Sequence, residues 1–128
     1  MLTVASDYQD CWHRLTQIRN PGPAQALVFI DENEKSIQQS AFGVNAPDNY
    51  LLFSMSLWNW ISFPATRHGA AGTVSFVDGH VETWRWREAN TLRIAGLNTW
   101  TVLQPAVRNT DRDLSRFFGG IPQKVPIR

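Results

Sequence analysis

Thr73-Val-Ser-Phe-Val77, Asp78-Gly79, His80-Val-Glu-Thr-Trp-Arg-Trp86 is the stretch whose pairing decides the fold. Two runs rich in β-branched and aromatic residues meet at Asp-Gly, a dipeptide that accepts the positive φ values of a tight hairpin turn. A two-residue loop sets the register. Val77 then faces His80, Phe76 faces Val81, Ser75 faces Glu82 and Val74 faces Thr83. Strand alternation puts Val74, Phe76 and Val81 on one face, the expected core side, and Val77, His80, Glu82, Trp84 and Trp86 on the other.

Upstream, Ala26-Leu-Val-Phe-Ile30 is a continuous apolar run between turn formers and acids, which predicts a buried central strand. Asp31-Glu-Asn-Glu-Lys-Ser36 follows as a polar loop or the first turn of a short helix. A short strand is expected around Ala41-Phe-Gly-Val44, before the break at Asn45-Ala-Pro-Asp-Asn49. Residues 50–65 follow no single period and are read as strand with a loop at Asn59. At the N-terminal end, Cys11, Trp12, Leu15 and Ile18 have helical spacing after Ser6 or Asp7, and Asn20-Pro-Gly-Pro23 ends that helix. At the other end, Asp111-Arg-Asp-Leu-Ser-Arg-Phe-Phe118 makes two helical turns closed by Gly119-Gly120. The expected fold class is α+β: an antiparallel sheet around residues 26–30, 73–77 and 80–86, with short flanking helices, in one domain over residues 1–128.

Composition narrows the function. The 128 residues are 43% hydrophobic and include six Trp and seven Phe, enough apolar surface to form a core rather than a disordered chain. Twelve Lys and Arg against eleven Asp and Glu leave a formal net charge of +1, which does not point to a nucleic-acid partner. A single Cys excludes an intramolecular disulfide and cysteine-rich zinc modules. Tyr50 to Ala65 is the longest apolar stretch, but Ser54, Ser56, Asn59, Ser62 and Pro64 interrupt it. It falls short of the roughly 20 apolar residues that span a bilayer. Met1 to Arg14 lacks the basic and apolar regions of a secretory signal.

Arg67-His68, nine residues, and then Asp78-Gly79-His80-Val81-Glu82 with Trp84 following resembles the prepilin-type, processing-associated His-x9-Asp-Gly proteins. These are pilin-like or type II secretion pseudopilin-like chains. The resemblance takes in Leu27-Val-Phe-Ile-Asp-Glu-Asn-Glu-Lys-Ser-Ile37, Phe63-Pro64-Ala65 and Asp113-Leu114, and covers roughly residues 26–118. It implies a pilin-like globular head, extracytoplasmic in location (periplasm, cell surface or secreted filament), with itself or other pilin-like subunits as partners. It also implies a leader and a long apolar stalk helix, which this sequence does not show. The expectation is a head whose only membrane contact runs through that missing N-terminal helix.

The candidate site residues have paired readings. His68 is a metal or proton-transfer partner of Asp78, or a residue that orients its own loop. The five-residue run 73–77 would hold the two about 16 Å apart at about 3.3 Å per residue, which favours two separate structural devices. Asp78 either tolerates the turn geometry or, with Asp31 and Glu32, supplies oxygens to a cation. Calcium suits such a set better than zinc, and no other cofactor is expected. The spacing lacks the Gly and terminal Glu of an EF-hand, so a solvated acidic loop is the favoured reading of 31–34. Trp58, Trp60, Trp84 and Trp86 pair at i,i+2 and are assigned to core plus subunit interface. No nucleophile–base arrangement, phosphate loop or paired-carboxylate motif stands out. The leading expectation is therefore a non-enzymatic structural protein. A carbohydrate- or surface-binding module using Trp faces is the alternative, and a small metal-dependent hydrolase using His68, Asp78, His80 and Asp31 comes third.

Overall fold

The computed structural model describes residues 13–37, 41–45, 59–97 and 110–122. Among them is a three-stranded antiparallel sheet of β1 (Leu27–Ile30), β4 (Ala71–Phe76) and β5 (Val81–Arg85), ordered β1-β4-β5. A two-stranded ribbon pairs β2 (Val44–Asn45) with β3 (Asn59–Trp60). Two short helices follow the hairpin, α1 (Ala89–Ala95) and α2 (Arg112–Gly119). The class is α+β, as expected.

Three expectations need correction. The hairpin register is displaced by one residue. Ser75 pairs with Val81, Val74 with Glu82, Thr73 with Thr83 and Gly72 with Trp84. The loop is Val77-Asp78-Gly79, in which the Phe76 carbonyl accepts from the Gly79 N–H (2.9 Å) and the Phe76 N–H donates to the His80 carbonyl (3.0 Å). Gly79 has φ +93°, the position a three-residue loop reserves for glycine. Because side chains alternate with period two, the slip turns β5 over relative to β4. Trp84 and Trp86 now share the inner face with Val74 and Phe76, while Val81 stands 60% exposed on the outer one.

The second correction concerns β1, an edge strand rather than the central one; β4 holds the centre. A register shift between Leu27 and Phe29 lets Leu27 and Ile30 oppose Phe76 and Val74, and leaves Phe29 60% exposed. Third, Asn59 lies in a strand, not a loop. The expected N-terminal helix falls largely outside the described residues, and its described end is a single 3-10 turn at Leu15–Gln17. Cys11, Trp12 and Trp58 also lie outside them.

The core closes the sheet's inner face with Ile94 of α1, and with Leu114 and Phe117 of α2. Aromatic rings dominate it. Trp60 meets Phe117 at 5.5 Å, Phe42 at 6.0 Å and Trp86 at 6.2 Å, and Trp86 meets Trp84 at 6.4 Å, all edge-on, as ring quadrupoles favour. Gly72 is required beneath Trp86, since a Cβ there would sit 3.1 Å from the indole and 2.9 Å from the Ala65 carbonyl oxygen.

Helix α2 begins where its sequence places it. The Asp111 side chain accepts from the Leu114 N–H (2.8 Å), Asp113 stands in the first turn and Arg116 in the last, each on the favoured end of the helix dipole. The Asp113 carboxylate takes the N–H groups of Arg87 (3.0 Å) and Glu88 (2.9 Å) and so joins the start of α1 to α2. The Gly120 carbonyl accepts the Leu27 N–H (2.8 Å) and ties the end of α2 to β1.

Candidate functional site

The residues that carry the family resemblance occupy two places. At one end of β4, Arg67 lies in the turn 67–69 and reaches the acidic segment after β1. Its guanidinium pairs with Asp31 and with Glu34 Oε2 (2.7 Å). Ser36 Oγ donates to Glu32 Oε1 and accepts the Phe63 N–H, each at 2.9 Å. Asn33 is buried, accepts from the Lys35 N–H, and donates to the Ala95 carbonyl at the end of α1 (3.1 Å). Backbone pairing runs alongside, with the Ala65 N–H on the Asp31 carbonyl and the Asn33 N–H on the Phe63 carbonyl (both 2.8 Å). Burial pushes the Glu32 carboxyl above the usual carboxylate range. The expected solvated acidic loop holds for Glu34, whose side chain is 65% exposed, while Glu32 is part-buried against Ser36 and the segment also joins β1 to residues 63–67.

At the other end of β4, the hairpin tip docks on the turn before β1. The Val77 N–H donates to the Ala26 carbonyl (2.9 Å) and the Asp78 N–H to the Pro23 carbonyl (3.2 Å). From Asp78 a line of polar contacts follows β5. Asp78 Oδ1 accepts the His80 N–H (3.1 Å) and pairs with His80 Nδ1 (2.5 Å), and His80 Nε2 faces Glu82 Oε1 (3.2 Å). Glu82 Oε2 accepts the Trp84 indole N–H (2.7 Å), and the Arg116 guanidinium lies 4.0 Å over the Trp84 ring. The imidazole stacks flat on Phe76, with 4.2 Å between centroids.

The electrostatics follow from these partners. Hydrogen bonds to Asp78 and then Glu82 raise the His80 pKa. The His80 hydrogen bonds hold Asp78 below the usual carboxylate range, and Trp84, then His80, do the same for Glu82. Both imidazole nitrogens face carboxylates, an arrangement that favours the protonated ring. Alongside runs a cleft of about 370 Å³ whose lining includes Glu82, Trp84, Arg116 and Gly120.

His68 and Asp78 stand beyond opposite ends of β4, whose six residues span roughly 20 Å at about 3.3 Å each. The cation set Asp31, Glu32 and Asp78 is likewise not assembled. Asp31 and Glu32 follow the end of β1 whereas Asp78 docks on Pro23 before its start, and β1 separates them by roughly 13 Å. Among the described residues, no three His, Cys, Asp or Glu side chains are grouped to hold a metal ion. Trp60, Trp84 and Trp86, expected to contribute to an interface, are at most 4% exposed and are enclosed by the chain's own core. The one-residue register shift is the physical reason for Trp84 and Trp86.

Sequence reasoning missed Ser36, Asn33 and Arg116 as connecting residues. Arg116 carried one available signal, a cation in the last turn of an expected helix, but nothing in the sequence placed it over Trp84. No helix among the described residues is long and apolar enough to cross a membrane. Fold and contacts together define a small α+β domain in which Arg67 and the Asp78–His80 pair brace the two ends of the central strand, while His68 is exposed. Comparison of the chain with protein-family models, curated proteins and solved structures returns no match.

Proposed function

We propose that this chain is a non-enzymatic structural protein, the pilin-like or pseudopilin-like head of a filament or secretion-associated assembly outside the cytoplasm. Its partners in this reading are copies of itself or other pilin-like subunits, and it carries no resident cofactor. One observation supports the proposal most. Of Arg67, His68, Asp78, Gly79 and His80, which carry the resemblance, all but the exposed His68 take part in bracing the sheet, and the two groups lie at opposite ends of β4. Such a motif suits a protein whose task is to present a rigid surface. Among the described residues, Trp60, Trp84 and Trp86 offer no exposed ring face to the carbohydrate-binding alternative.

The test is location and assembly in cells that carry the gene in its native context. Fractionation, mechanical shearing of the cell surface and amine cross-linking are followed with an antibody to this domain. The proposal expects the protein in the periplasmic or sheared fraction, with a ladder of cross-linked species. A protein confined to the cytosol and cross-linking only as a monomer overturns it.

A further inference from the structure

We propose that the hollow between the end of β5 and the first turns of α2 binds a tetrahedral oxyanion, a phosphate group or a phosphate monoester. The hollow measures about 190 Å³ and is lined by Arg85, Arg87, Arg112, Asp113 and Arg116. Its volume is below the roughly 300–1,000 Å³ of pockets that take whole drug-sized ligands, and it suits one small charged group. Four of its five lining residues are arginines.

The charges there are not balanced from within. Arg112 pairs with Glu88 (2.5 Å), and Arg116 pairs with Glu82 (3.4 Å) and lies over Trp84. Arg85 and Arg87 have no acidic partner among the described residues. Asp113 is the only acid in the lining, and it is turned inward. It is 4% exposed, and both its oxygens accept the backbone N–H groups of Arg87 and Glu88. Two unpaired guanidiniums therefore face one hollow, alongside two whose partners already hold them in position.

Like charges held around one hollow repel unless an anion enters between them. Guanidinium forks match the oxygens of phosphate in paired hydrogen bonds, and an arginine held by stacking or by a carboxylate has less freedom left to lose on binding. Asp113, Glu88 and Glu82 set against the four arginines leave one positive charge over, and the guanidinium forks favour an anion with several oxygens to pair with. This site adjoins the Asp78–His80–Glu82 line through the Arg116–Glu82 pair, and the inference does not depend on the filament-head reading.

The experiment titrates the full chain, in phosphate-free buffer at low salt, with inorganic phosphate, glycerol phosphate, a phosphoserine tripeptide and acetate. Binding is followed by calorimetry and by the arginine side-chain N–H resonances. Saturable binding of phosphate with a dissociation constant below about 10 mM is expected, with acetate at least tenfold weaker. Tighter binding of glycerol phosphate assigns the group to a small-molecule ester, and tighter binding of the tripeptide to a phosphorylated chain. The double variant Arg85→Gln, Arg87→Gln keeps its melting temperature, since both side chains are exposed, and loses binding at least tenfold. Unsaturable binding of phosphate, equal binding of acetate, or full affinity in that variant overturns the proposal.

Discussion

Trp86 is the residue whose replacement separates a core from an interface. Its ring is 4% exposed, packs edge-on against Trp60 and Trp84, and covers Gly72. Its indole N–H donates to the buried Ala65 carbonyl at 2.7 Å. Trp86→Phe keeps an aromatic ring but removes that donor, and an unpaired buried carbonyl costs about 1–3 kcal/mol. Trp86→Ala also empties the ring volume, and deletions of this kind cost about 3–5 kcal/mol. Against a total stability of about 5–15 kcal/mol, the Ala variant approaches unfolding while the Phe variant remains folded. Urea unfolding at several protein concentrations, with light scattering to follow mass, gives both quantities. We expect midpoints lowered in the order Phe then Ala, independent of concentration, with no change of oligomeric state before unfolding. A Trp86→Ala chain that keeps its midpoint but loses an oligomer would refute the enclosed-core assignment.

Gly79 has open space around its Cα, so substitutions there report backbone strain alone. Gly79→Val should cost about 1–3 kcal/mol and Gly79→Asn less, because Asn tolerates positive φ; equal midpoints for Val and Gly would show that the loop is misassigned. His80 gives a pH signature. Its raised pKa means that its contribution is complete below the unfolded value of about 6.5 and is lost as pH rises through the folded value. The lowered Asp78 and Glu82 values mean that their share is lost at acid pH, as protonation passes through those folded values. The stability gap between wild type and His80→Gln should therefore be largest below the unfolded His value of about 6.5 and shrink as pH rises through the raised folded value, and a gap that widens with rising pH contradicts the ladder. Thr91 is fully buried and its hydroxyl has no partner among the described residues, so Thr91→Val should stabilise the domain by about 1 kcal/mol in the same unfolding assay; a loss of stability would show that the hydroxyl is satisfied.

The α+β class, β1, the hairpin strands and α2 were legible because each rests on local chemistry. The Asp-Gly pair marks a turn, Leu27–Ile30 is β-branched and aromatic, and Asp111 caps a helix that stops at glycine. What local chemistry does not determine is register. Asp-Gly serves both a two-residue loop and a three-residue loop with glycine last, and tertiary docking of Val77 and Asp78 on residues 23–26 goes with the longer one. From that single residue followed the wrong face for Val81 and the interface assignment of Trp84 and Trp86. The apolar run of β1 suggested burial on both sides, but an edge strand with a register shift uses the same residues differently. Helix α1 is not legible because Ala89–Ala95 is short and has no side-chain cap of its own; the Arg87 and Glu88 N–H groups just before it are held by Asp113, distant in sequence. The junction of Asp31, Glu34 and Arg67 is legible only once β4 is placed.

The central claim is that His68 and Asp78 of the His-x9-Asp-Gly motif share no common site: Arg67, beside the exposed His68, braces one end of β4, and Asp78 braces the other. A double-mutant cycle on His68→Ala and Asp78→Ala tests it most directly. Stability is measured by urea unfolding for the wild type, both single variants and the double variant. Residues held apart by the length of β4 should act additively, within about 0.5 kcal/mol. An interaction energy above about 1 kcal/mol between these two side chains would mean that they meet in a common site, and would contradict the account.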